Sequence, residues 1–519
     1  VTDEVVKSVM IVGGGAAGWL TAAVIAAEHC AHSEEGLEVT VVESPNIPII
    51  GVGEGTWPSI RDTLRRIGIR ETEFIRRCNA SFKQGTRFDG WRDGSSGDSY
   101  FHPFDPPPGP DEVDMLALWR AAPAGAPFAQ AIGCQAALCL AGKAPKQKTT
   151  PEYAAVVNYA YHLDAPAFAN LLREHCVRRL GVRVVPDDVV GVETDEAGFV
   201  RTLNTRRHGA LQSDLYIDCT GSRALLIGDA LGVKAKDVSH ILFNDRALAL
   251  HVPYMDENAP IASQTTGTAM GAGWIWDIAL QSRRGVGYVY ASGCESEEDA
   301  RAELASYLRR VSPPSGANAE DARLIRFSSA YRETPWVRNV VAVGMAQGFV
   351  EPLEASAIVM VELSARMISD TLPARRTMMQ RAAERFNARF AYRWERIVDF
   401  LKLHYALSRR AEDYWRAHAE RETWPARLAG LLEQWRFDPP SREDFTDALE
   451  IFPAASYAFV LYGMGFETAR RPLRRRKDDP RRVARHLSEI AARGEKFLGG
   501  LPSNRELIDH ALTNGLMRV

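Results

Sequence analysis

Apolar positions change their period twice within the first fifty residues. Val9, Met10, Ile11 and Val12 form a short unbroken apolar run that stops at glycines. An alanine-rich stretch from Trp19 to Ala27 follows, and then Leu37, Val39, Val41 and Val42 lead to Glu43. Strand, turn, helix and second strand is the reading of this pattern. Short strands are predicted around Val182–Val190 and Phe199–Tyr216, and the pattern turns helical from about residue 359. There Phe386, Phe390, Trp394, Ile397, Leu401 and Tyr405 recur at three- and four-residue spacing, which puts them on one helix face. Residues 103–110, PFDPPPGP, carry five prolines and so lack the donors that regular structure needs. They predict a loop leading into an insertion. The fold class expected is mixed α/β: a glycine-motif, Rossmann-like lobe with a β-sheet floor and a helical C-terminal lobe. The boundaries expected are 1–370 for the first lobe, with inserted segments at about 101–165 and 235–335, and 371–519 for the helical lobe.

Composition narrows this picture without redirecting it. The 519 residues exceed what one core of roughly 250–300 residues accommodates, which favours two lobes or a large domain with an appendage. Apolar residues at 46% and charged residues at 25% are an ordinary globular balance. A net charge of −3 offers no global attraction for nucleic acid or an anionic membrane. Cys30, Cys78, Cys134, Cys139, Cys176, Cys219 and Cys294 are odd in number and contain no CxxC. They read as small buried residues in a cytoplasmic, reducing setting rather than as a disulfide framework, a metal site or nucleophiles. Residues 8–27 are uncharged and long enough for a membrane span, but four glycines interrupt them and the preceding VTDEVVK lacks a signal peptide's basic region. The basic run at 470–485 reads as a solvated turn and helix start rather than a patch for an acidic partner.

The first chemistry lies in the glycines. Gly13-x-Gly15-x-x-Gly18, with Ala16 and Ala17 between its last two glycines, follows a strand and opens a helix. The first glycine suits a tight turn, the second a close approach of backbone to a pyrophosphate, and the third close helix–strand packing. Helix N-terminal N–H groups and the helix dipole favour the phosphates, and Glu43 closes the second strand at the distance suited to a ribose hydroxyl pair. Two later apolar runs, into Asp218 and Gly221 and into Gly344, look like returning segments of the same lobe.

Seven stretches together resemble the flavin-dependent tryptophan halogenases. They are IVGGGAAGWLTAA (11–23), GVGEGTWPSI (51–60), FKQGTRFDGW (82–91), FHPF (101–104), DCTGSRALLI (218–227), GWIWDIAL (273–280) and VGMAQGFVEPLEASAI (343–358), in family order along most of the chain. The resemblance implies FAD rather than NAD, clamped by Gly13, Gly15, Ala16, Ala17, Gly18, Glu43, Gly53, Asp218, Gly344 and Gly348. It implies a separate flavin reductase, dioxygen, and chloride or bromide turned into hypohalous acid that travels to a small aromatic substrate. It implies that Lys83 orients this electrophile by a hydrogen bond or as a haloamine, and that Glu354 polarises it or takes the ring proton.

The remaining roles follow by the same resemblance. The backbone N–H groups of Ser356 and Ala357 match the halide site, His102 and Phe104 match residues flanking the substrate ring, and Trp274 and Trp276 match a pair that keeps substrate from the flavin. Ala357 stands where the family has glycine and Ala279 where it has proline, departures that bear on halide affinity and on the tryptophan segment. The stretch Ile451–Tyr457 lacks the glutamate and is poor in the tyrosines that hold the amino-acid end of tryptophan. An indole-type substrate other than free tryptophan is therefore expected. No metal, nucleic acid or membrane is expected, and members of the family commonly form homodimers. Two other readings stand beside this one: a flavin monooxygenase on the same fold, favoured by Ala357 and Ala279, and a non-catalytic flavin-binding protein, against which Lys83, Glu354 and the tryptophan pair argue.

Overall fold

The computed structural model describes residues 5–47, 51, 53–109, 111–311, 316–445, 447, 450–473 and 475–518. The chain forms two compact units, each assembled from three separate stretches. The architecture is mixed α/β, as the apolar pattern predicts.

The first unit comprises Val1–Asn79, Leu163–Val238 and Ser328–Glu395. Its six-stranded sheet has the order Trp336–Val337, Val340–Ala342, Leu215–Asp218, Ser8–Val12, Glu38–Glu43, Arg183–Pro186. All neighbours run parallel except the outermost pair, 336–337 with 340–342. The expected strand–turn–helix–strand opening is present as Ser8–Val12, Ala16–Glu28 and Glu38–Glu43. Parallel strands are buried on both faces, which is why these runs read as continuously apolar rather than alternating. Met10, Val12, Val42, Tyr216, Val340 and Ala342 pack with Leu226 and Ile227 on one side. The helix Ala16–Glu28 packs against the helices Ala165–Arg179 and Ser356–Asp370.

The second unit comprises Ala80–His162, Ser239–Phe327 and Arg396–Val519. Its seven-stranded sheet has the order Arg323–Arg326, Arg246–Pro253, Arg283–Tyr290, Gly273–Ala279, Thr265–Ala269, Gly85–Asp89, Ser99–Pro103. The pair 265–269 with 85–89 is parallel and the other pairs antiparallel. The helix Glu297–Val311 lays Ala300, Leu304, Tyr307 and Leu308 on this sheet. Acids in its first turn and arginines in its last complement the helix dipole.

Three details revise or sharpen the sequence reading. Pro103 ends a strand rather than belonging to the proline loop, because Ser99–Pro103 is an edge strand where a missing N–H leaves no ladder bond unmade; Pro110 lies outside the described residues. All seven cysteines are free, but Cys30 and Cys294 are exposed rather than buried. Cys30 follows the end of the first helix in the left-handed region, with φ 48°, which turns it away from the core. In the basic run, Asp479 accepts from the N–H groups of Arg481 and Arg482 and caps the helix Pro480–Gly500, so a turn and helix start is what forms.

The aromatic stripe is a face of the 28-residue helix Met379–Ala406. Phe386, Phe390, Ile397, Leu401 and Tyr405 are fully buried and Trp394 nearly so. Burying each such side chain contributes roughly 1.5–3 kcal/mol. Among the described residues no helix is long and apolar enough to cross a membrane, and no cluster of His, Cys, Asp and Glu has the makings of a metal site.

Candidate active site

In the first unit, the three motif glycines serve three different needs. Gly13 has φ 117°, and a Cβ there would come 2.2 Å from the Cys219 carbonyl oxygen. A Cβ on Gly18 would lie 1.9 Å from the Gly13 oxygen, so helix and strand touch backbone to backbone. Over Gly15 a Cβ meets nothing within 4 Å. Gly15 is also the N-cap of the helix that starts with Ala16 and Ala17, and no side chain caps it. Open space above uncapped N–H groups at a positive helix end fits a pyrophosphate. Gly15→Val tests this directly. The variant is expected to fold with its thermal midpoint within a few degrees of the parent and to lose FAD affinity at least about tenfold by flavin titration, since a branched side chain fills the ligand's space and not the protein's.

Around this cradle, Gly344 (φ 69°) lies against Ala17, where a Cβ would be 2.9 Å from the alanine methyl. Gly348 is wedged on Tyr331 and Trp394, and Gln347 beside it accepts from Trp394 Nε1 at 3.1 Å. Gly53 has φ 108°, a backbone conformation that favours glycine. Glu43 rests on Gly14 and its Oε1 accepts from Arg173 Nε at 2.7 Å. Asp218 is fully buried, and its carboxylate is occupied by its own loop. Oδ1 accepts from Thr220 N and Oγ1 at 3.0 and 2.6 Å, and Oδ2 from the N–H groups of Leu226 and Ile227 at 2.8 and 2.9 Å. Asp218 therefore braces the turn after its strand.

The same unit holds Glu354, 4% exposed, just before the helix Ser356–Asp370. Its carbonyl accepts from the Trp57 indole N–H at 2.7 Å. The residue between, Ala355, has φ 53° and serves as N-cap without a side-chain bond. A left-handed alanine costs on the order of 1–2 kcal/mol. The unusual backbone thus falls on Ala355, and Ala357 carries none of it. The N–H groups of Ser356 and Ala357 open the helix and have no partner within it, which suits a small anion.

In the second unit, Lys83 ends the strand Ser81–Lys83, opposite Ala160, and is 1% exposed. Its Nζ stands 5.3 Å from the centre of the Phe104 ring. A short network fixes that ring. Phe104 N donates to Gln84 O at 3.1 Å, and Asn158 Nδ2 donates to the Phe104 carbonyl at 3.0 Å. Asn158 N donates in turn to Asp105 Oδ1 at 2.7 Å. Burial raises the Asp105 carboxyl, with the Asn158 N–H opposing it.

Two residues before Lys83, on the same strand face, Ser81 donates to the Ala279 carbonyl at 2.5 Å. His162, paired with Ser81 across the strands, is fully buried with Nε2 2.8 Å from Thr265 Oγ1. Burial first and the Lys83 charge second push its pKa well below the usual value, against a bond to the Ala279 carbonyl. It is therefore neutral at pH 7. The alanine that replaces the family's proline supplies, through its carbonyl, an anchor for both Ser81 and His162.

His102 and Phe104 have different surroundings. His102 Nε2 lies 2.9 Å from Ser456 Oγ, and its ring tilts against Phe400 and Phe459 at 5.6 and 6.1 Å. Trp274 and Trp276 project from one face of the strand Gly273–Ala279, their rings 6.4 Å apart. Gly287, opposite Trp276, is empty enough for the ring; a Cβ there would meet it at 2.1 Å. The Trp276 indole N–H is buried without a hydrogen-bond partner among the described residues.

The 451–457 stretch leads into the helix Ala454–Gly463. Tyr457 is sealed in the core, where burial and the Asp399 charge raise its hydroxyl pKa. Glu450, one residue upstream, turns its carboxylate onto the Ile451 N–H at 3.1 Å. Trp57, Ser81, Asn158 and His162 were not singled out from sequence. Trp57 lies within a quoted motif, but the others are polar residues whose importance depends on partners far along the chain.

Comparison with known proteins bears on the family and the fold. The family profile of the tryptophan halogenases matches residues 8–479. The tryptophan 6-halogenase ThaL of Streptomyces albogriseolus is 31% identical over 98% of both chains. The crystal structure of a tryptophan halogenase from Shewanella frigidimarina superposes with a TM-score of 0.95 at 42% identity, covering 99% of each chain. That of BrvH, a flavin-dependent halogenase from Brevundimonas sp. BAL3, superposes with a TM-score of 0.83 at 32% identity, covering 97% of this chain and 99% of the other. The chain belongs to the flavin-dependent tryptophan halogenase family, enzymes that halogenate an aromatic substrate.

Proposed function

We propose that this enzyme uses reduced FAD, dioxygen and chloride or bromide to halogenate an electron-rich aromatic, an indole-type compound other than free tryptophan. The observation that carries the reading is Lys83, an ammonium 1% exposed and held over the Phe104 ring. A buried ammonium beside an aromatic ring is placed to act by its charge or through its nitrogen.

The glycine cradle, Glu43 and the loop braced by Asp218 bind the dinucleotide, which a separate reductase supplies in reduced form. When bound, reduced FAD supplies the electrons with which dioxygen turns halide into hypohalous acid. The N–H groups of Ser356 and Ala357 hold the halide, and Trp274 and Trp276 keep the organic substrate away. Lys83 hydrogen-bonds the hypohalous acid, or takes its halogen as a haloamine with loss of water, and presents it to the ring. The ring carbon bonds the halogen as its bond to oxygen or to Nζ breaks, hydroxide leaving as water or the lysine amine being released, and the Glu354 carboxylate stabilises the cationic ring and accepts its proton. His102 and Phe104 flank the ring.

The substrate assignment is supported by the 451–457 stretch, which holds no glutamate and whose one tyrosine, Tyr457, is buried in the core, so the zwitterion of tryptophan finds few partners there. A charge-assisted hydrogen bond is worth about 1.5–3 kcal/mol, or roughly tenfold or more in kcat/KM for each one missing. Indole is expected to exceed free tryptophan by at least about tenfold in kcat/KM. Product mass spectrometry with FAD, a reductase and bromide checks this by the halogen isotope doublet. Equal turnover of both compounds would overturn the substrate assignment, and a hydroxylated product would move the chemistry to a monooxygenase.

A further inference from the structure

The helix Ser356–Asp370 carries a carboxyl that the proposed chemistry does not use. Glu362 lies two turns below the helix start and is 4% exposed. Its only hydrogen bonds among the described residues come from two hydroxyls on the helix Ile60–Arg66 and its N-cap. Thr63 Oγ1 donates to Oε1 at 2.6 Å and Ser59 Oγ to Oε2 at 3.3 Å. Ser59 is the N-cap residue of that helix, yet it makes no capping bond. A serine at that position ordinarily caps its helix, for about 1 kcal/mol. Here the hydroxyl is spent on Glu362 instead.

The other end of the same segment is also fastened, through the Trp57 N–H to the Glu354 carbonyl. The Trp57–Ser59 stretch is therefore pinned to the 354–362 stretch at two points. Between the upper point and the helix lie the left-handed Ala355 and the N–H groups of Ser356 and Ala357. We propose that Glu362 is a positioning residue that, through Ser59 and Thr63, clamps the Trp57–Ser59 segment onto this helix and so fixes Glu354 and the amides of Ser356 and Ala357 for the reaction. The inference rests on the halogenase reading of Glu354.

The clamp depends on the charge of Glu362. Burial raises its pKa to about 8, with the Thr63 and Ser59 hydroxyls opposing and the Asp62 charge adding to the rise. The charged groups on the packed elements offer no relief. Arg65 is spent on Asp62, Arg66 pairs with Glu28 of the helix Ala16–Glu28, and Arg366 on its own helix pairs with Asp370. At neutral pH Glu362 is an uncharged carboxyl; above about 8 it becomes a carboxylate, to which the Thr63 and Ser59 hydroxyls donate more strongly, so the clamp tightens.

The test is a pH profile of bromination at saturating indole and bromide, read together with thermal midpoints of the cofactor-free protein. The rate of the parent relative to that of Glu362→Gln, which stays neutral, is expected to rise by about threefold or more between pH 7 and 9 as the clamp tightens. Thr63→Val removes a bond that lowers the pKa, so the rise shrinks and moves to higher pH. A merely structural role would leave the ratio of the two rates the same at every pH.

In the midpoints, the folded carboxyl holds its proton to about 8 while the unfolded one releases it near 4.5. The parent therefore loses stability relative to Glu362→Gln as pH rises between those values, and the difference is constant above. A ratio of parent to Glu362→Gln rates that does not change with pH would overturn the clamp, as would a midpoint difference that ignores pH. Midpoints that follow this course while the parent halogenates nothing would uphold the clamp and fault the halogenase reading instead.

Discussion

Replacing Lys83 with methionine is expected to lower halogenation by about 10³-fold or more, the upper part of the range for a positioned proton donor or acceptor, while leaving FAD affinity within about twofold. Methionine is preferred to alanine because Lys83 is 1% exposed, and a truncated side chain would leave a cavity that costs stability in its own right. Lys83→Arg separates two roles. A guanidinium keeps the positive charge, but it neither gives up a proton near neutral pH nor forms a haloamine readily. If Lys83 acted only by its charge, arginine would preserve most of the rate; loss comparable to methionine is expected. Product mass spectrometry with indole and bromide reads the rate, and flavin titration shows that the cradle around Gly13, Gly15 and Gly18 is intact. A methionine variant that halogenates at the parent rate would remove Lys83 from the mechanism.

Glu354→Gln is expected to lower the rate by about 10²–10³-fold, the contribution typical of a single positioned base or electrostatic stabiliser. The substitution is nearly isosteric. It also leaves untouched the bond from the Trp57 N–H, which is received by the Glu354 backbone carbonyl. An unchanged thermal midpoint would show that the rate loss reports the carboxylate's chemistry and not a displaced segment. Halide affinity should hold or tighten, since removing a negative charge one residue from the Ala355 N-cap favours an anion at the N–H groups of Ser356 and Ala357. Steady-state bromide dependence separates the two effects. A lowered kcat with unchanged or lower KM for bromide is expected, whereas a raised KM at full kcat would assign Glu354 to halide binding alone.

The legible parts of this molecule were local ones. The strand into Gly13, the helix from Ala16 and the strand into Glu43 declare themselves because the turn that joins them tolerates only glycine at Gly13, where a Cβ would strike the Cys219 carbonyl. The stripe from Phe386 to Tyr405 is legible because one helix face repeats every three or four residues. The parallel pairing of Thr265–Ala269 with Gly85–Asp89 could not be read, since nothing in either segment names a partner so distant in sequence.

Polar residues that act in pairs were hidden for the same reason. Ser59 looks like a helix cap, and its diversion to Glu362 appears only in three dimensions. Glu362 sits in an amphipathic helix where an acid ordinarily faces water. Ala357 drew attention as a departure from glycine, yet the left-handed residue is Ala355, two positions earlier. Pro103 and Cys30 were misread by composition alone, the first because an edge strand accepts proline and the second because a helix ends just before it.

The interleaving of the two units has a consequence for synthesis. Ser8–Val12 is an interior strand of its sheet, flanked by Glu38–Glu43 on one side and Leu215–Asp218 on the other, with Val340–Ala342 beyond. A ribosome adding about 5–20 residues per second needs on the order of tens of seconds between delivering the first of these strands and the last. Until Leu215–Asp218 is made the nascent glycine motif carries a bare apolar strand edge, and from then until Val340–Ala342 arrives Leu215–Asp218 carries it, open to pairing with another chain. Slower elongation lengthens the exposure, whereas lower temperature also weakens hydrophobic association. Soluble yield is therefore expected to depend on chaperones that shield the first two hundred residues until the remainder of the sheet arrives.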